Sequence, residues 1–189
     1  MEVFVNTFFE KRVGQLFELA ERVEQAFSSA GLEYRVAGGL AAYLYVEEVE
    51  PDAGRLTKDI DILVRREDLQ RIADAVQQFG LEYSPEPGID MLVQTGAPSA
   101  RRAVHLIFTG EKVRPEYLEA TPELGAYRTV RQIRLVPLSD LIRMKLISFR
   151  LKDQTHLKDL DEAGVITPEI EAGLSATLRD RLAHVRASE

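Results

Sequence analysis

The sequence predicts an α/β (α+β) protein, a mixed core of strands and helices followed by a small helical region. Three observations carry this. Helical and strand-like patterns alternate up to Val136. The stretch "RVAGGLAAYL" passes from a strand through two glycines into a helix. Beyond Pro137 only helical patterns recur. The predicted boundary near Pro137 separates a core, 1–136, from a helical region packed on it, 137–189.

The first helix is set by Phe9, Val13, Leu16, Ala20, Val23 and Phe27 at helical spacing, and Gly31 ends it. "LEYRVAGG" reads as a short strand running into a turn, and "LAAYLYVEEV" as a helix broken by Pro51, Asp52 and Gly54. "DIDILV" alternates and is β-branched, so it reads as a strand. Leu69, Ile72, Val76 and Phe79 make an amphipathic helix closed by Gly80. "IDMLVQ" and "RAVHLIF" are two further strands, and the turn-rich "TGAPSAR" between them predicts a hairpin. "EKVRPEYLEATPELGAYR" reads mostly as loop and "QIRLV" as a last short strand. The remaining segments, "LSDLIRMKLISFRLKD", "QTHLKDLDEAG" and "TPEIEAGLSATLRDRLAHVR", read as three helices.

Bulk properties narrow the function classes. The 189 residues suit one ordinary domain, or a domain with a small appendage, and contain no cysteine. Disulfides and thiolate metal sites are therefore excluded. No apolar run approaches the roughly 18 residues of a membrane span, and the N-terminus lacks the pattern of a signal peptide, so a cytoplasmic location is expected. A net charge of −7 argues against a general nucleic-acid coat. Cations still cluster at Arg65 and Arg66, at Arg101 and Arg102, and at Arg143, Lys145, Arg150 and Lys152. Each cluster reads either as a solvated face or as part of a local basic pocket.

The stretch "GRLTKDIDILV" sets the functional question. Residues two apart on a strand share a face, so Asp59 and Asp61 point one way and Ile60, Ile62 and Val64 the other, buried way. Adjacent carboxylates repel, which raises one pKa unless a cation lies between them. Mg²⁺ suits such a pair, because it takes a few carboxylate oxygens and leaves its other positions to water and phosphate. The competing reading is an edge strand with a polar outer face. Upstream, Gly38 and Gly39 stand where a strand becomes a helix. Glycines there allow close backbone approach, and the helix start offers N–H groups to phosphate; an ordinary tight turn is the alternative. Neither a P-loop nor a dinucleotide fingerprint is present.

Taken together, strand, Gly-Gly, helix and a D-x-D strand resemble the nucleotidyltransferase superfamily, whose core is polymerase beta-like. Arg55, Thr57, Asp59 and Asp61 match the R-x-T-x-D-I-D form of its minimal bacterial branch, which includes the AbiEii-type toxins. Lys145, Arg150, Lys152 and Asp153 resemble the Lys, Arg and Lys-Asp set that these relatives carry on helices behind the core. The resemblance spans roughly residues 34–160. It departs from the pattern in a longer spacer between Gly39 and Asp59, around "EEVEPDAG". It departs also at the third carboxylate, where "AVHLIF" holds His105; Asp90 is the nearest other acid.

The resemblance implies transfer of a nucleoside monophosphate from a nucleoside triphosphate to a hydroxyl of RNA, a protein or a small molecule. Asp59 and Asp61 would hold Mg²⁺ (or Mn²⁺). Gly38, Gly39, Arg55, Thr57, Lys145, Arg150 and Lys152 would hold the nucleotide. His105 would be either a general base on the acceptor or a hydrogen-bonded relic. A degenerate nucleotide-binding module, with a partner protein in a toxin-antitoxin or defence pair, is the second implication. Asp153, His156 and Asp159 recur at helical spacing, which fits a metal site or a salt-bridged helix. His184 reads as surface.

Overall fold

β-branched runs bounded by Gly, Pro and Asp make most of the strands. The computed structural model describes residues 2–51, 53–55, 57–96 and 103–188, and for residues 2–12 the backbone alone. The strands are β1 (Arg35–Ala37), β2 (Ile60–Val64), β3 (Leu81–Glu86), β4 (Ile89–Gln94), β5 (Val104–Phe108), β6 (Arg128–Val130) and β7 (Ile133–Leu135). The helices are α1 (Glu2–Ser29), α2 (Gly38–Glu47), α3 (Leu69–Gln77), α4 (Leu138–Ser148), α5 (Leu151–Glu162), α6 (Pro168–Ala172) and α7 (Ala176–Ala187).

The described strands form one mixed sheet in the order β3-β4-β5-β2-β1-β7-β6. β2 runs antiparallel to β1 and parallel to β5, so Asp61 stands opposite Ala37 on one side and His105 on the other. α1 packs on α3, while α2 packs on β1, β2, α4 and α5. Ile60, Ile62 and Val64 are fully buried, as their spacing predicts, and so is Leu63. Burying such a side chain contributes about 1.5–3 kcal/mol. One apolar cluster includes Phe27 of α1, Ile62 of β2, Leu141 of α4, Leu157 of α5 and Leu178 of α7. The helices beyond Pro137 thus share the core of the sheet.

Five details differ from the sequence reading. β2 begins at Ile60, so Asp59 sits in the bend that enters the strand and not on it. β3 has no counterpart in the sequence reading; it contains Pro85 and lies at the sheet edge, where a missing N–H is tolerated. β6 has no counterpart in the sequence reading, where the loop ends at Arg128 and the last strand starts at Gln132; it pairs with β7 across Arg131 and Gln132, both at positive φ (47° and 65°). α4 stops at Phe149 in the left-handed conformation, and α5 starts at Leu151. The last predicted helix is two, α6 and α7, separated around Gly173 and Leu174. β4 and β5 pair antiparallel as a hairpin requires; residues 97–102 of their connection, with Arg101 and Arg102, lie outside the described residues. No described helix is long and apolar enough to cross a membrane.

Candidate active site

β1 ends by turning into α2 at Gly38, whose φ is +64°. An L side chain is strained there. Space forbids one as well, since a Cβ on Gly38 would lie 1.8 Å from Asp61 Oδ2. Gly39 is equally confined: its Cβ would stand 2.7 Å from Thr57 Oγ1 and 3.4 Å from His156 Cε1. The two glycines therefore bring the first turn of α2 against Asp61, Thr57 and His156.

Asp61 and His105 face each other across β2 and β5, with Asp61 Oδ1 3.3 Å from His105 Nδ1. Burial pushes the Asp61 carboxyl up. The His105 hydrogen bond and the charges of His105, Lys152 and Lys145 outweigh it and hold the group below the usual carboxylate range. The pKa rise expected of a bare carboxylate pair is thus absent at Asp61, because the protein supplies its own cations. The hydrogen bond to Asp61 pushes His105 the opposite way, above its ordinary value, although burial opposes this. Asp90 is not on this face: Met91 stands opposite His105 and Asp90 opposite Leu106, and the Asp90 carboxylate accepts from the Tyr83 hydroxyl.

The tail supplies the opposite wall. Asp153, buried at 3% exposure, accepts from Arg150 Nε at 2.6 Å and Ser148 Oγ at 2.7 Å. Its Oδ1 is 3.8 Å from Lys145 Nζ. Burial pushes Lys145 down to about 8, with Asp153 and Asp61 opposing. Lys145 Nζ lies 2.8 Å from His156 Nδ1. Burial and the Lys145 charge push His156 down to about 4.

Two adjoining cavities meet at Asp61. The smaller, about 260 Å³, is lined by Gly38, Gly39, Thr57 and Asp59 and, from the C-terminal helical region, by Arg150, Lys152 and His156. The larger, about 480 Å³, shares Gly38, Asp61, Arg150 and Lys152 and extends past His105, Met144 and Tyr117. Lys152 borders both cavities, and no described carboxylate pairs with it. Arg55 borders neither; its Nε donates to Asp159 at 2.9 Å. Other cations are paired, Arg65 with Asp68, Arg66 with Glu111 and Arg143 with Glu119, and of these Arg66 lies on the larger cavity. His184 is exposed, as expected. His156 is the residue whose place the sequence hid. Helical spacing pairs it with Asp153 and Asp159, whereas in the fold it turns toward Lys145 and the glycines.

Gly38, Gly39, Thr57, Asp59, Asp61, Lys152 and Arg150 are thus brought to one cavity, with Lys145 behind it and Arg55 outside. No family model matches the sequence, and no curated protein matches it. Solved structures do. A nucleotidyltransferase-like antigenic protein from Paracoccidioides brasiliensis is similar with a TM-score of 0.56 and 16% identity, over 92% of this chain and 88% of that one. ANT(2'')-Ia in complex with adenylyl-2''-tobramycin gives a TM-score of 0.55 and 13% identity, over 92% and 98%. The fold is that of the nucleotidyltransferases. The solution structure of the antibiotic-resistance factor ANT(2'')-Ia agrees, with a TM-score of 0.51 and 11% identity over 93% and 84%. At these identities the likeness concerns the fold.

Proposed function

We propose that the chain is a Mg²⁺- or Mn²⁺-dependent nucleotidyltransferase acting on a hydroxyl acceptor, with 1–136 as its nucleotidyltransferase-like core and 137–189 as the helical unit that closes the site. The observation that carries this reading is the approach of Gly38 to Asp61. Two glycines press the first turn of a helix against an ionised carboxylate, beside a cavity that Lys152 borders with no carboxylate partner among the described residues. A turn of purely structural use has no need of that arrangement.

The donor set fits one hard cation. Asp59 and Asp61 border the same cavity, and two carboxylates leave its remaining positions to water and phosphate oxygens. Among the described residues no group of three or more His, Asp and Glu is placed to hold a metal ion, so the pair would share the ion with water and phosphate. When bound, the ion supplies charge neutralisation at the phosphate oxygens. The chain's own groups do the rest. The first N–H groups of α2 face the phosphates, and Gly38 and Gly39 allow their approach. Arg150 and Lys152 balance the charge of the leaving pyrophosphate from the other wall. The acceptor oxygen bonds to the α-phosphorus as the bond to the bridging oxygen of the β-phosphate breaks, and the hydroxyl proton passes to solvent. His105 hydrogen-bonds Asp61 and helps to hold it ionised and oriented.

A second reading is favoured by the same His105–Asp61 contact. With an imidazole in place of a third carboxylate, the chain would bind nucleotide without turning it over. One experiment separates the two. The four α-labelled nucleoside triphosphates, with Mg²⁺ or Mn²⁺, are incubated with the protein and a mixture of RNA, cell protein and small metabolites, beside the Asp59→Ala/Asp61→Ala variant. Transfer by the wild type alone supports the enzyme. Binding without transfer supports the second reading, and neither binding nor transfer overturns both.

A further inference from the structure

The transfer reaction leaves a buried pair without a task. Lys145, 3% exposed, lies with its Nζ 2.8 Å from His156 Nδ1. An ammonium has three donors and no acceptor, so the contact has one polarity: Lys145 donates and Nδ1 accepts. An imidazole that accepts at Nδ1 carries its proton on Nε2. A doubly protonated ring would set donor against donor, in keeping with the low His156 pKa of about 4. The ring is therefore neutral, with its single N–H on the nitrogen remote from Lys145.

His156 lines the small cavity together with Gly38, Gly39 and Thr57. Cε1, the atom beside Nε2, is 3.4 Å from where a Cβ on Gly39 would stand, so the imidazole lies against the first turn of α2. Among the described residues nothing accepts from Nε2. The groups around the pair are Asp153 and Lys152 from α5, Arg150 just before it, Ser148 from α4 and Asp61 from β2. Asp153 is already engaged by Arg150 and Ser148. An orphan neutral donor thus borders a cavity whose glycines and cations suit phosphate.

We propose that His156 donates its Nε2–H to a phosphate oxygen of the bound nucleotide, and that Lys145 is the positioning residue that fixes the tautomer. This inference rests on the reading of the small cavity as a polyphosphate site. Arg150 and Lys152 supply charge there. His156 supplies direction, and it remains a donor without titrating as an ordinary histidine does near neutrality.

The test uses the full chain and inorganic tripolyphosphate with Mg²⁺, which removes any dependence on the base, followed by the four nucleoside triphosphates. Calorimetry compares the wild type with His156→Phe and His156→Gln, Gln keeping an N–H near the position of Nε2. The expected result is about 10- to 100-fold weaker binding in His156→Phe and recovery to within about threefold in His156→Gln. Ring ¹⁵N spectra of the wild type should show the Nε2–H tautomer at pH 6, a shift of that signal on adding tripolyphosphate, and a tautomer mixture in Lys145→Met. Equal binding by wild type and His156→Phe overturns the role of His156 alone. No binding by the wild type overturns the polyphosphate reading itself. Should His156→Phe fail to fold, a proton found on Nδ1, or no ¹⁵N response to tripolyphosphate, overturns the inference.

Discussion

Gly38 and Asp61 occupy each other's space: where Gly38 would carry a Cβ, the Oδ2 of Asp61 lies within 1.8 Å. The contact joins the end of β1 to the middle of β2, and it holds only while residue 38 has no side chain.

Gly38→Ala is expected to fail on two counts. A left-handed alanine costs about 1–2 kcal/mol, and Asp61 must leave His105 to make room. For a chain of this length the melting midpoint should fall by roughly 3–6 °C. Polyphosphate binding should fall as well. Gly14→Ala is the control, because its Cβ meets nothing within 4 Å and its position is helical. That variant should gain up to about 1 kcal/mol. Equal midpoints and equal binding for wild type and Gly38→Ala would count against the close approach.

Asp153 compensates Lys145 and Arg150 from a buried position. Asp153→Ala leaves the Lys145 ammonium without its carboxylate, which costs about 3–5 kcal/mol and lowers the melting midpoint by roughly 10 °C. Restoring stability with Lys145→Met in the same chain is the expected double-mutant result, since the buried charge is then gone. Thermal melts of the single and double variants check it.

Lys145 also gives stability a sign with pH. Its folded pKa, about 8, lies below its ordinary value. Between these two values the unfolded chain holds a proton that the folded chain has released. Stability from this group therefore rises with pH above about 8 and levels off near 10.4, with a limiting slope of about 1.4 kcal/mol per pH unit. Asp153, Asp61, Arg150 and Lys152 surround the group, and Asp153, Asp61 and Arg150 keep their charge through this window. Urea unfolding from pH 7 to 10 should show the rise in the wild type and lose it in Lys145→Met.

His105→Asp tests what the imidazole replaces. Without metal, a carboxylate facing Asp61 adds repulsion, so the melting midpoint in EDTA should drop. With Mn²⁺, a further acidic ligand should tighten binding on the order of tenfold. Calorimetry with Mn²⁺ and melts with and without EDTA read both effects. Unchanged Mn²⁺ affinity would place residue 105 outside reach of the ion.

Much of this was legible in the sequence where local rules and tertiary needs agree. "DIDILV" announced a strand with one buried face, and Gly-Gly before an apolar run announced a helix start with room for a ligand. β3 was hidden because Pro85 denies a strand unless the strand is at an edge, and edges are not written locally. β6 and β7 turn on Arg131 and Gln132, two residues that no turn rule favours at positive φ. The partners of the cations were also out of reach. Arg55 takes Asp159 across 104 positions, and Lys152 has no carboxylate partner among the described residues, for reasons that exist only in three dimensions. His156 shared its helical spacing with two aspartates, and periodicity could not show that its ring turns toward Lys145.

The two walls of the small cavity are far apart in the chain, the carboxylates at residues 59 and 61 and the basic wall at 150–156. During synthesis the acidic half leaves the ribosome first. It waits through some ninety residues before Arg150, Lys152 and His156 can fold over it. A nascent chain that has folded only through β7 carries carboxylates with no phosphate-binding wall. On the proposed reading the site cannot hold phosphate until the helices beyond Pro137 dock, and anything that delays or pries off that docking would keep the protein from its nucleotide.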